Sequence, residues 1–247
     1  MSSPSSPTTS AEVLDLVARL DDPAPVAPVP KPVAALQPIV HLEADVPIGY
    51  EALARFDDGV ETATHFERAA ADGRAIELEL ACYQAAFSRI DDLPSGTFVL
   101  TNVSLECLTH PDLLLMLRRV DTARVAVEVT QQTRVDDVAV VDHHLAPIRS
   151  TGARIAIDDV GAGEFSVERI AKTTPAIVKA APRIVSGCDA DDERAALLGQ
   201  VAELGRRLGA ITVGVGVERT AEADVLRRLG FDAAQGYLFG RPDVDPA

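Results

Sequence analysis

The chain has 247 residues and a formal charge of −15, from 38 acidic and 23 basic side chains. Hydrophobic residues make up 47% and aromatics 4%, which is enough aliphatic material for one large core and excludes a globally disordered chain. The acidic excess argues against duplex DNA, RNA or an anionic membrane as a partner, since such ligands are held by neutralising phosphates with Lys and Arg.

Residues 1–33 differ in composition from the rest. Met1–Ser10 is rich in Ser, Pro and Thr, and Asp22–Val33 reads DPAPVAPVPKPV, an extended Pro/Ala linker. Between them, Val13, Leu14, Val17 and Leu20 recur at helical spacing and predict a short amphipathic helix over Ala11–Leu20. From residue 34 to 247 the pattern is that of one domain. Short aliphatic stretches predict strands at Pro38–Leu42, Gly49–Phe56, Thr97–Asn102, Arg124–Thr130, Ala153–Asp158, Ala176–Ala180, Ile211–Val217 and Ala233–Gly236. Helical patterns separate most of them. Ile76, Leu80, Tyr83, Phe87 and Ile90 step by four and three along one face, and Ala195–Leu208 ends at Gly209, a C-cap residue.

The first two strands are joined only by Glu43–Ile48. That is too short for a crossover helix, so this pair is expected to be antiparallel. The fold class expected is α/β, a (β/α)8 TIM-like barrel with an antiparallel first strand. An open doubly wound sheet is the alternative that the pattern leaves. Cys82, Cys107 and Cys188 are scattered without metal-binding spacing and fit reduced packing residues. The N-terminus has no basic leader with an apolar segment, and no run of about 18 apolar residues occurs. The expectation is a soluble, cytoplasmic protein.

Polar residues recur at the ends of the predicted strands: Glu51, Asn102, Glu128, the Asp158-Asp159 pair, Lys179, Glu218 and Gln235. Taken singly, a carboxylate there is a helix cap or a solvated loop residue, and Lys179 would be a side chain snorkelling at the rim. A parallel barrel, however, gathers these ends into one mouth. Several carboxylates and carboxamides converging there suit a hard cation such as Mg²⁺ or Mn²⁺ and disfavour Zn²⁺. An Asp-Asp pair beside them could bridge two ions, an arrangement suited to phosphoester hydrolysis.

Eight segments, in order, carry a family resemblance. They are QPIV from Gln37, GYEALARF around Glu51, TNVS from Thr101, VEVT around Glu128, IDDVGAG from Ile157, the Lys179 segment, GVE ending at Glu218, and QGYLFGRP from Gln235 to Pro242. Together they resemble the successive signatures of EAL domains, the cyclic di-GMP phosphodiesterases of bacterial signalling. The resemblance implies that Glu51, Asn102, Glu128 and Asp158 hold one metal ion, with Asp158 and Asp159 reaching a second. It implies that Lys179 stands near the attacking water, that Glu218 and Gln235 orient the site, and that Gln37, Leu53 and Arg55 hold the dinucleotide. Asp159, Lys179 and Glu218 would form the catalytic set, and Gln235 would also touch the ligand.

The departures bear on activity. Active members of the family usually read A-E-G-V-E where this chain has Gly214-Val215-Gly216-Val217-Glu218. Val215 therefore stands in place of a Glu that helps hold the second metal. The loop usually written D-F-G-T-G-Y-S-S is DVGAGEFS here, with Glu164 a nearby acid; a supporting Glu is Gln131, and the Asp after the lysine is Ala181. The expectation is a degenerate EAL domain that binds cyclic di-GMP with impaired or absent hydrolysis, one ion site complete and the second short of a ligand. An active Mg²⁺- or Mn²⁺-dependent phosphodiesterase making linear pGpG is the alternative, and a protein-interaction scaffold is a third. A homodimer or a protein partner fits each of them.

Overall fold

A computed structural model describes residues 28–130, 138–161 and 167–245. The predicted helix over Ala11–Leu20, Gln131 and the 162–166 segment containing Glu164 lie outside the described residues. Eight strands run in chain order: β1 (Val33–His41), β2 (Val46–Arg55), β3 (Phe98–Asn102), β4 (Val125–Thr130), β5 (Arg154–Val160), β6 (Ile177–Ala180), β7 (Ile211–Val215) and β8 (Ala233–Gln235). They close into a barrel with neighbours in sequence order. β1 is antiparallel to both β2 and β8, and the remaining neighbours are parallel. The barrel excludes the open doubly wound sheet.

The hairpin between β1 and β2 shows why the first pair is antiparallel. His41 pairs with Val46, so the chain reverses within a few residues and leaves no length for a helix. β1 starts earlier than the sequence predicts, because Ala34, Ala35 and Leu36 pair with Ala54, Leu53 and Ala52. Val33, placed by composition in the linker, is the first residue of β1 opposite Arg55. β7 ends sooner than predicted, at Val215. Gly216 takes a left-handed φ of 81°, and both Gly216 and Val217 donate to the Gln235 carbonyl (2.8 and 3.1 Å), which turns the chain off the sheet.

Helices cover the outside. After β2 come α1 (Thr62–Ala71) and α2 (Ala75–Phe87), then α3 (Pro111–Leu117), α4 (Val138–Thr151), α5 (Val167–Lys172), α6 (Pro182–Val185), α7 (Asp192–Leu208) and α8 (Thr220–Leu229). α2 presents Leu78, Tyr83 and Phe87 to the sheet, with Ile76 and Leu80 partly buried beside them; Ile90 is buried in the short turn that follows. α7 starts where the Asp191 carboxylate accepts from the Glu193 and Arg194 amides, and ends at Gly209, φ 64°.

The alternation of each strand divides the core in two. One face (Val99, Val125, Val127, Ile155, Ile157, Val178) packs outward under the helices. The other (Ile39, Phe98, Leu100, Ala126, Ala156, Ile177, Val213, Ala233) fills the barrel interior. Phe98 is the large member of that interior group. Its ring lies where a side chain on Gly49 would project, since a Cβ there would stand 2.6 Å from it.

Candidate functional site

Advancing along the same inward faces, two residues toward the mouth, gives a second layer. Ile39 leads to Gln37 on the antiparallel β1, and Gly49 to Glu51. Leu100 leads to Asn102, Ala126 to Glu128, Ala156 to Asp158, Ile177 to Lys179, Val213 to Val215 and Ala233 to Gln235. The strand period of two thus converts a linear scatter of polar residues into one ring. Register ties neighbours together: Gln37 pairs with Glu51, Asn102 with Glu128, and Val215 with Gln235.

Lys179 is the hub. It is 2% exposed, far from the rim position that the residue alone would suggest. Its Nζ donates to Glu51 Oε2 at 2.9 Å and Glu128 Oε2 at 2.7 Å, and stands 3.9 Å from Asp158 Oδ1. Gln235 Nε2 donates to Glu51 Oε2 (2.8 Å) and Gln37 Oε1 (3.0 Å), and Gln37 Nε2 donates to the Gly240 carbonyl (3.1 Å). Asn102 Nδ2 donates to Glu51 Oε1 at 3.3 Å. Six of the sequence-predicted site residues therefore form one contact network around Lys179 and Glu51, and Asp158 lies at its edge.

The electrostatics follow from one cation shared among buried acids. Burial pushes the Glu51 carboxyl up, but the Lys179 ammonium and the hydrogen bonds from Lys179, Gln235 and Asn102 outweigh it and hold it below its ordinary range. Glu128 goes the other way. Burial, with repulsion from Glu51 and Asp158, raises its pKa well above that of an ordinary glutamate despite Lys179. Burial alone would lower the Lys179 pKa, yet the three carboxylates raise it, so Lys179 is an ammonium.

Asp159 reaches the same neighbourhood through a distortion. Strand β5 shifts register between Ile157 and Val160, and Asp159 takes a left-handed φ of 57°. A regular strand would send it outward beneath the helices. The bulge brings it near Asp158, Lys179 and Arg183, where burial and Asp158 raise its pKa. Leu53 and Arg55 follow Glu51 along the same face of β2, both half-buried. The Arg55 guanidinium donates to the Ala54 carbonyl (2.8 Å) and makes no contact with the acidic network.

Glu218 is exposed in the loop after β7 and is not among the carboxylates that pair with Lys179. With Gln37, Val215, Gln235 and Tyr237 it lines a pocket of about 270 Å³ at the mouth. The loop is held by a residue that the sequence reading missed. Glu222, 2% exposed, accepts through Oε2 from the Glu218 and Arg219 amides (3.0 and 3.1 Å) and through Oε1 from the Gly187 amide (2.9 Å). Its signal in sequence is an acid in the first turn of α8.

As the side chains lie, no group of three His, Cys, Asp or Glu among the described residues is spaced to hold a metal ion. The Lys179 ammonium occupies the space between them. The donor set nonetheless fits one hard divalent ion: every donor is oxygen, and Asp158 Oδ1 is buried with no hydrogen-bond partner. Val215, the ring position paired with Gln235, offers no lone pair to a cation.

A model of the EAL domain matches residues 32–242. This chain belongs to the EAL domain family. MucR of Pseudomonas aeruginosa, named a bifunctional diguanylate cyclase/cyclic di-GMP phosphodiesterase, is 30% identical over 128 residues, covering 52% of this chain and 19% of MucR. TpdA of Vibrio parahaemolyticus, named a cyclic di-GMP phosphodiesterase, is 26% identical over 207 residues, covering 83% of this chain and 36% of TpdA. This EAL chain thus spans well under two thirds of the length of these relatives. The BlrP1 structure from Klebsiella pneumoniae, a calcium and cyclic di-GMP complex, is similar at a TM-score of 0.79 and 28% identity, over 89% of this chain and 58% of that one. Among the described residues, no helix of this EAL domain is long and apolar enough to cross a membrane.

Proposed function

We propose that this EAL domain binds cyclic di-GMP at the barrel mouth and hydrolyses it poorly or not at all. The observation that carries the reading is Val215. It occupies one of the eight ring positions, pairs with Gln235 and lines the mouth pocket, where the family resemblance expects a glutamate. Valine offers neither a lone pair to a cation nor a site for a proton. Support for the ligand comes from the cyclic di-GMP in the BlrP1 complex and from the names of MucR and TpdA.

In this reading Gln37, Leu53, Arg55 and Gln235 hold the dinucleotide. The Arg55 fork is suited to a phosphate or a guanine edge. Glu51, Asn102, Glu128 and Asp158 hold one Mg²⁺ or Mn²⁺, and Asp159 lacks the partner it would need for a second. The ion, when bound, supplies Lewis acidity and lowers the pKa of a bound water. Lys179, Asp159 and Glu218 make up the remaining catalytic set, and the protein acts in the cytoplasm with a second copy or a protein partner.

The complete first-ion set favours a second reading, an active phosphodiesterase. Water would attack one phosphodiester phosphorus, one P–O bond would break, and linear pGpG would leave. Calorimetry with cyclic di-GMP, with and without Mg²⁺, should show binding; no binding in either condition overturns the proposal. Incubation with Mn²⁺ should yield little or no pGpG. Rapid pGpG formation that is abolished in Glu51→Ala would establish the second reading instead.

A further inference from the structure

We infer that Lys179 is an internal counter-ion that holds the place of a divalent cation, so that an ion enters the cluster only by displacing the Lys179 ammonium. The inference rests on reading Glu51, Glu128 and Asp158 as the ion's ligands. All three make their ion pair with Lys179, at 2.9, 2.7 and 3.9 Å. Part of the lone-pair set that an ion would need is already engaged. Glu51 Oε2 accepts from both Lys179 Nζ and Gln235 Nε2, which uses both of them. Glu128 Oε2 accepts from Lys179 as well.

The fit to an ammonium is incomplete in an informative way. Of three N–H donors, two are matched by Glu51 and Glu128. The third carboxylate beside it, through Asp158 Oδ1, is too far for a hydrogen bond and is buried without a partner. The pocket therefore holds one more oxygen than Lys179 satisfies. A divalent ion, which binds oxygens at about 2.0–2.6 Å and takes six or more of them, would engage that oxygen once the ammonium withdrew. Lysine suits this role better than arginine, being a compact point charge on a flexible stem. Without an ion, the arrangement keeps three clustered acids folded. With one, it imposes an exchange on binding.

The chain has three lysines, and Lys31 and Lys172 are exposed. Lysine-selective ¹⁵N labelling of the full chain therefore isolates the buried Lys179 ammonium, whose protons should exchange slowly. Titration with Mg²⁺ should shift the Lys179 Nζ resonance and end its protection, with the midpoint that calorimetry gives for the ion. Binding of Mg²⁺ with the resonance unmoved would overturn the inference. Lys179→Gln should bind Mn²⁺ about tenfold more tightly, the scale of a typical coupling, and should gain more in melting temperature on adding Mn²⁺ than the unchanged chain. Equal or weaker Mn²⁺ affinity in a folded Lys179→Gln also overturns it, as does an absence of ion binding in both proteins. Cyclic di-GMP binding in ion-free calorimetry is a separate readout, so the exchange can fail while the ligand assignment stands.

Discussion

The barrel interior has two layers built on the same strand faces, and they obey opposite rules. The lower layer, with Phe98, Leu100, Ile177 and Val213, is aliphatic or aromatic and is held by packing alone. The upper layer is polar at seven of its eight positions, and most of its buried groups are held by specific partners. Lys179 and Gln235 each bridge two side chains. In the lower layer what counts is volume; in the upper, whether each donor and acceptor is matched. Val215 follows the lower layer's rule at an upper-layer position. That difference separates the packed interior of the barrel from the polar layer at its mouth.

The largest expected effect comes from reversing this exception. Val215→Glu should raise Mn²⁺-dependent pGpG formation by about 10²–10⁴, the usual worth of a positioned base, and should raise the stoichiometry of bound Mn²⁺ from one to two. No rise would show that the upper layer is deficient elsewhere as well. Truncating the lower layer tests the other rule. Phe98→Ala should lower the unfolding free energy by about 3–5 kcal/mol in denaturant titrations, because the ring fills the space that Gly49 leaves open. A loss below about 1 kcal/mol would mean that the interior collapses to fill the gap.

The smallest effect is in pH dependence. The native pKa of Glu128 lies above its unfolded value, so between the two the native state binds more protons. Stability of the ion-free protein should therefore fall as pH rises from the ordinary glutamate range through the native pKa of Glu128. Glu128→Gln should remove that slope in thermal melts across the window. An unchanged slope would place the titration on another group.

Much of this was legible from the chain alone. The strand–helix repeat and the short Glu43–Ile48 link predict a barrel with an antiparallel first pair, because pairing direction depends on local connection length. The acids at strand ends predict a ring, because a period of two and parallel alignment bring equivalent positions together. Other features were not legible. The tight turn at Gly216, which leaves Glu218 in an exposed loop, depends on two hydrogen bonds to Gln235 from another strand. The placement of Asp159 depends on a register shift against β6. Glu222 looks like an ordinary first-turn acid until Gly187 is packed beside it.

For the polar ring, sequence determined which residue types reach the mouth. Composition and periodicity are properties of each strand by itself, and they carry that information. Tertiary structure alone decided the pairing: Lys179 is buried as a shared cation and does not snorkel, and Glu128 is raised while Glu51 is lowered. Those outcomes rest on contacts between residues 51 to 198 positions apart in the chain, and on how one positive charge divides among acids removed from water.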